Sequence, residues 1–402
     1  MEENREIKKP KVLIVHNYYQ IPGGEDTVVS NEKRLLEDNG HEVFLYTRNN
    51  SELNEMGKLE KLLLPFITIF NFRTLRDVTK IIKNNGIDVV HVHNTLNLIS
   101  PSVYYAALFC KTPVVQTMHN FRMLCPGATF YRDGKICEDC TEKGLGCAIK
   151  HSCYRNSKLQ TLACVLNTLI HRATGIYKKI NFICLTEFNK EKLLLLNKKR
   201  QVVEPSKIFV KPNFIDVRED FIIKKERENQ FVFAGRMDLL KGIDVLLEAW
   251  EYMGRNAPKL VLCGTGPMED WSKKYIQEND LNVDFKGLLS NAEIKKIIAE
   301  SKAVILTTKW YEGFPMTIVE AFSVGTPVIC SDFGNVATLI EDKCTGFLCK
   351  ADSVESIAEM VVEVEQSNIV YEAVYDNYKE KFSGQVSYQR LSYIYQNVIS
   401  RE

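Results

Sequence analysis

Residues 11–16, KVLIVH, then IPGGED at 21–26, a stretch of helical period to Asn39, a stop at Gly40 and HEVFLYT at 41–47 read as one strand–helix–strand unit. A β-branched run feeding a glycine loop and an amphipathic segment is how parallel, doubly wound sheets begin. Further strands are expected at 88–93 (DVVHVH), 112–118 (TPVVQTM) and 181–185 (NFICL). A second series falls at 230–234, 259–263, 283–286, 303–307 and 327–330, with helices between. At 402 residues the chain exceeds one ordinary core. The boundary is expected within 212–228, where periodicity is lost and charge becomes dense. That gives domains at 1–212 and 213–385, with a C-terminal helix, 386–402, packing back on the first.

Composition narrows the function classes. With 52 basic and 51 acidic side chains the net charge is +1, so no global field draws in nucleic acid. The N-terminus MEENREIKKPK is charged and runs straight into a strand, unlike a cleavable signal. No apolar run reaches bilayer-spanning length, and the expected location is the cytosol. Of twelve cysteines, Cys164, Cys184, Cys263 and Cys330 sit in apolar runs and read as small hydrophobes.

Candidate chemistry gathers at strand ends. In EGFPMTIVE, 312–320, Glu312 and Glu320 lie across a loop-to-helix junction. Pro315 suits the first helical position, where a missing N–H costs nothing. Carboxylates grip sugar hydroxyls, and unpaired N–H groups at a helix start hold phosphate; the plainer alternative makes both glutamates acids favoured by the helix dipole. Arg236 and Lys241 follow the strand in FAGRMDLLKG and can neutralise a diphosphate, with ordinary surface charge as the alternative. Gly264 and Gly266 in LCGTGP suit close backbone approach to a ligand. Gly23 and Gly24 either serve a turn of positive φ or admit a phosphate beside a helix start. His119 emerges after TPVVQTM, whereas His91 and His93 alternate on a buried strand and are expected to anchor packing.

PGGED, DVVHVHN, TMHN, VKPNFID, FAGRMDLLKGID, LCGTGP, FKG and WYEGFPMTIVEAFSVGTPVICSD follow one another in this order. In these strings the chain resembles the retaining glycosyltransferases of family four, the group-one transferases of GT-B fold, over nearly its whole length. The last string carries the family's E-x7-E pattern. The resemblance implies an α/β architecture of two Rossmann-like doubly wound domains facing a cleft, the second holding a UDP- or GDP-linked sugar. By matching positions, Arg236 and Lys241 hold the diphosphate, Glu320 the ribose, and Glu312 with the backbone of Gly313, Phe314 and Pro315 the donor-sugar hydroxyls. His119 contacts the sugar near the reacting carbon, and Gly24 approaches the phosphates from the first domain. Transfer proceeds with retention and without a catalytic metal.

One segment departs from the family's common pattern. Cys125, Cys137, Cys140 and Cys153, around a C-x-x-C in an insert at 121–158, have the character of a structural zinc site, with Cys147 and His151 as further candidates. Free thiols in a long loop, or an iron–sulfur cluster, are the alternatives. The insert follows His119 and so bears on acceptor choice. The apolar run 62–72 and the basic stretch from Lys178 to Lys211 suggest docking on an anionic membrane carrying a polyprenyl-linked acceptor; a core helix beside a solvated basic one is the other reading. The expected function is a membrane-peripheral transferase extending a bacterial surface glycan (capsule, O-antigen or exopolysaccharide). A nucleotide-sugar epimerase or phosphorylase of the same fold, or a metal-binding interaction module, are the rivals.

Overall fold

Strands buried on both faces need helices on both faces, and the apolar runs here are of that kind: Val12–Tyr18 is buried at every position but its last. The computed structural model describes residues 9–20, 23–216 and 223–401; residues 1–8, Ile21 and Pro22 of the glycine loop, 217–222 of the charged segment and Glu402 lie outside the described residues.

The chain forms two compact units. In the first, residues 1–128, 138–212 and 387–402, six parallel strands run in the order Val43–Asn49, Val12–Tyr18, Val89–Val92, Val114–Met118, Asn181–Cys184, Ile208–Val210. In sequence terms this is 2-1-3-4-5-6, a flavodoxin-like order with one added strand. In the second, residues 129–137 and 213–386, the order is Val283–Gly287, Lys259–Cys263, Glu228–Ala234, Ser301–Leu306, Val328–Ser331, Gly346–Cys349. That is 3-2-1-4-5-6, the Rossmann order. Every pairing in both sheets is parallel.

Local signals set the helix ends. Asn71 caps Phe72–Asn85 by accepting the N–H groups of Arg73 and Thr74, and Gly86 ends it at φ +61°. The C-terminal helix Gly384–Ile399 places Leu391, Ile394, Tyr395 and Val398 against Val12, Ile14, Val89, Val115 and Ile183 of the first sheet. Between Cys125 and Ser157 lie a small hairpin, Tyr131–Arg132 with Lys135–Ile136, and the short helices Asp139–Glu142 and Gly146–Lys150. Whereas the insert 121–158 was expected wholly within the first domain, the hairpin segment 129–137 belongs to the second unit, where buried Phe130 meets the Tyr311 ring edge-on at 6.1 Å.

Candidate functional site

In the second sheet the strand order reverses between Glu228–Ala234 and Ser301–Leu306. Loops leaving the carboxyl ends of strands at such a switch point flank a crevice that takes ligands. Lys241 and Glu312 come from these two loops. Asp238 accepts the Lys241 N–H at 3.0 Å and so starts the 3-10 turn Leu239–Lys241. Thr307 Oγ1 donates to the carbonyls of Lys241 at 3.1 Å and Gly242 at 2.9 Å, tying that turn to the neighbouring strand end. Gly242 has φ +68°, and a Cβ there would lie 2.0 Å from the Thr307 carbonyl oxygen, so no other residue fits.

Thus pinned, Lys241 Nζ stands 2.8 Å from both Glu312 carboxylate oxygens, the two side chains 23% and 7% exposed. Buried Asn335 holds the Glu312 loop, its Nδ2 donating to the carbonyls of Glu312 and, at 2.9 Å, Gly313. Phe314 packs on the core beneath. Pro315 is the cap of the helix Met316–Phe322 and not, as expected, its first residue. Glu320 lies in that helix, and burial pushes its pKa up, partly offset by Lys295. Arg236 stands apart, 69% exposed and 3.3 Å from Asp238. A part-exposed cation–carboxylate pair can exchange partners, the lysine for phosphate and the glutamate for hydroxyls.

Two glycines whose setting suits close approach to a ligand are already required by the packing. A Cβ on Gly264, at φ +139°, would lie 1.9 Å from the Gly235 carbonyl oxygen, and one on Gly266 would lie 2.3 Å from that of Met237. Both are needed for backbone to meet backbone. Gly23, by contrast, has φ −130° and nothing within 4 Å of a would-be Cβ, and the helix Gly24–Asp38 starts directly after it. A turn of positive φ is therefore not its reason.

The first sheet carries a polar network at its own switch point, between Val12–Tyr18 and Val89–Val92. Asp26 Oδ1 lies 2.7 Å from His16 Nε2, while Oδ2 accepts the Gly23 N–H at 2.9 Å. Glu25 accepts the Tyr19 hydroxyl at 2.8 Å, and burial pushes its pKa up to about 7. Lys211 Nζ lies 2.6 Å from Glu32 Oε1, both side chains 1% exposed, which removes Lys211 from the basic surface expected at 178–211. His91 is bonded at 2.7 Å through each ring nitrogen, to Tyr395 and Thr117, and so ties its strand to the C-terminal helix. His93 Nδ1 lies 2.9 Å from His119 Nε2, the rings stacked at 5.2 Å. Burial holds His91 down to about 4 and His119 to about 3, so neither carries charge near neutrality. His119 also borders a small cavity, about 80 Å³, with Asn94, Gln116, Asn120 and Arg122.

Among the described residues, Glu32, His91 and His93 are the one group of three His, Cys, Asp or Glu whose ligand atoms all lie within 4.8 Å. A metal does not fit there: Lys211 already supplies the cation, and both nitrogens of His91 are engaged. The cysteines form no such group. Cys125, Cys147 and Cys153 come near enough to Cys140 to help burial raise its thiol to about 12, while Cys137 ends the hairpin segment of the second unit. The four-thiolate set expected from spacing is thus not gathered to ligand distance.

Sequence reasoning passed over Glu25, Glu32 and Asn335, and read Lys211 only as surface charge. A buried asparagine after a strand carries no spacing signal, and Glu32 and Lys211 lie 179 residues apart.

Residues 22–136 match the family described as Glycosyltransferase Family 4, and 216–381 match Glycosyl transferases group 1. A UDP-Gal:alpha-D-GlcNAc-diphosphoundecaprenol alpha-1,3-galactosyltransferase of Escherichia coli is 24% identical over 321 residues, 75% of this chain and 72% of that protein. An uncharacterized glycosyltransferase of Methanocaldococcus jannaschii is 24% identical over 280 residues, 67% of this chain, and the match spans 64% of that protein's length, just under two-thirds. The crystal structure of Anabaena Alr3699/HepE in complex with UDP superposes with a TM-score of 0.66 at 16% identity, covering 96% of this chain and all of that one.

The raised Glu25 pKa has a signed consequence. Folding favours the protonated form, so its contribution to stability is fully present below about pH 4.5 and is lost as pH rises through about 7. Glu25→Gln, neutral throughout, is expected to raise the melting temperature relative to wild type more at pH 8 than at pH 5. Equal differences at the two pH values would contradict the assignment.

Proposed function

The chain belongs to the group-one glycosyltransferases of family four, of GT-B fold, and on that premise we propose that it transfers a sugar, with retention, from a nucleotide diphosphate sugar to a glycan or polyprenyl-diphosphate-linked acceptor in bacterial surface polysaccharide synthesis. The observation that carries this reading is the Lys241–Glu312 pair at the switch point of the second sheet. Lys241 turns to the diphosphate when the donor arrives, and the exposed Arg236 swings in beside it. Glu312 and the backbone of Gly313–Pro315 take the sugar hydroxyls, and Glu320 takes the ribose. His119 and Gly24 act from the first unit, on the sugar and the phosphates. The donor is UDP- or GDP-linked; the Anabaena structure of the same fold was solved with UDP.

The reaction needs charge to grow on the leaving diphosphate while the sugar becomes oxocarbenium-like, and fixed cations stabilise that charge without reorganising. The bond from the anomeric carbon to the phosphate oxygen breaks and one to the acceptor oxygen forms on the same face. The acceptor's proton passes to a phosphate oxygen. Arg236 and Lys241 stand in for a catalytic metal, and no step runs through zinc.

The acceptor's membrane is assigned to the first unit. Helix Lys58–Ile69 exposes Leu59, Leu62, Leu63 and Phe66, at helical spacing, with Leu62 71% and Phe66 69% exposed. It packs on helix Lys158–Ala173, whose Leu159 is 79% exposed. This favours an interfacial face over the core-helix reading. No helix among the described residues is long and apolar enough to cross a membrane.

In calorimetric titrations Lys241→Ala is expected to weaken a nucleoside diphosphate by roughly tenfold or more beyond any loss for the free nucleoside, as removal of a hydrogen bond to a charged group implies. Glu312→Gln should fold normally and lose most transfer. Equal loss for both ligands, or wild-type turnover in Glu312→Gln, would overturn these roles. Co-sedimentation with anionic phosphatidylglycerol vesicles should fall sharply in Leu62→Glu/Phe66→Glu; unchanged binding would contradict the membrane assignment.

A further inference from the structure

The network under His119 has a direction that can be read from which atoms are able to donate. Glu32 is kept ionised by Lys211, whose Nζ occupies Oε1 at 2.6 Å. The other oxygen, Oε2, has no hydrogen-bond partner and faces His93 Nε2 at 3.4 Å and His91 Nδ1 at 3.6 Å. His91 Nδ1 is already engaged with the Tyr395 hydroxyl at 2.7 Å. His93 Nε2 has no other partner either.

A carboxylate only accepts. In a buried site it attracts an N–H and repels a bare ring nitrogen, so His93 carries its proton on Nε2. Its Nδ1 is then an acceptor, and the atom 2.9 Å away, His119 Nε2, must be the donor. An imidazole that is neutral holds one proton, and burial keeps both His93 and His119 neutral. The remaining nitrogen of His119 is therefore bare.

We propose that Glu32 and His93 are positioning residues that lock His119 in the Nε2-protonated tautomer, leaving Nδ1 as an acceptor that can receive a hydrogen bond from a hydroxyl of the donor sugar but cannot donate one to the phosphates. Only the last step, that Nδ1 meets a sugar hydroxyl, rests on the function proposed above. The tautomer follows from the protein alone. Lys211 serves the same end by holding Glu32 charged, which gives a purpose to an ion pair buried far from solvent.

The test is a long-range proton–nitrogen correlation spectrum of the full chain labelled with ¹⁵N-histidine, recorded at pH 7 without ligand. Signals are assigned by their disappearance in His93→Gln and His119→Gln. The expected pattern is a protonated Nε2 and a bare Nδ1 on both residues; a protonated Nδ1 on His119 would overturn the proposal. In Glu32→Met/Lys211→Met, which removes both charges together so that neither is left buried alone, the His119 nitrogens should move toward averaged values. In the same variant kcat should fall about tenfold or more, as loss of a partner that orients a functional histidine typically gives, while nucleoside diphosphate affinity is unchanged. A His119 pattern identical to wild type in that variant would show that Glu32 does not direct it. The expected tautomer together with absence of transfer from every nucleotide sugar would leave the relay standing and overturn the sugar contact.

Discussion

A parallel sheet covered on both faces has one place for polar chemistry. Its strands are mostly apolar and buried, so side chains that must meet water or ligand are driven to the loops at the strands' carboxyl ends, all on one edge. In the first unit this edge collects Glu25, Asp26, His93, His119 and Lys211; in the second it collects Arg236, Lys241, Glu312 and Asn335. Each unit's central reversal of strand order then brings two such loops side by side. Lys241 and Glu312 lie 71 residues apart and are joined by that reversal.

The two buried or part-buried ion pairs differ in kind. Glu32 and Lys211 are sealed, and taking such charges from water costs several kcal/mol per ion, which their attraction repays only in good geometry. Removing one partner of such a pair typically costs about 3–5 kcal/mol, while replacing both with apolar groups is often neutral. Stability alone is thus a weak reason for the pair, and its link through His93 to His119 supplies a better one. Lys241 is part-exposed beside the buried Glu312, so a ligand group can reach that pair as it cannot reach Glu32 and Lys211.

Period and β-branching located the interior strands within two or three residues, as QFVFA at 230–234 against Glu228–Ala234 shows. The edge strands Ile208–Val210 and Gly346–Cys349, three and four residues long, were not expected. The E-x7-E glutamates and the Arg236 and Lys241 cations were visible as residue types at strand ends, and Lys241 and Glu312 do meet. Gly264 and Gly266 show the limit of that reasoning, since a glycine admits a ligand and a neighbouring carbonyl equally well. The apolar run 62–72 could not be placed from composition, because a core helix and an interfacial one share a spacing and differ only in what covers them. The Glu32–His93–His119 chain left no local pattern, being assembled from three separate elements.

The central claim is that the second unit's switch point is built for a nucleotide diphosphate sugar, and a thermal-shift comparison across UDP- and GDP-linked sugars tests it most directly. A cognate donor at about a hundred times its dissociation constant should stabilise the fold by roughly 2.7 kcal/mol, and the gain should vanish for the corresponding free sugar. Equal melting temperatures with every nucleotide sugar and with none would contradict the account.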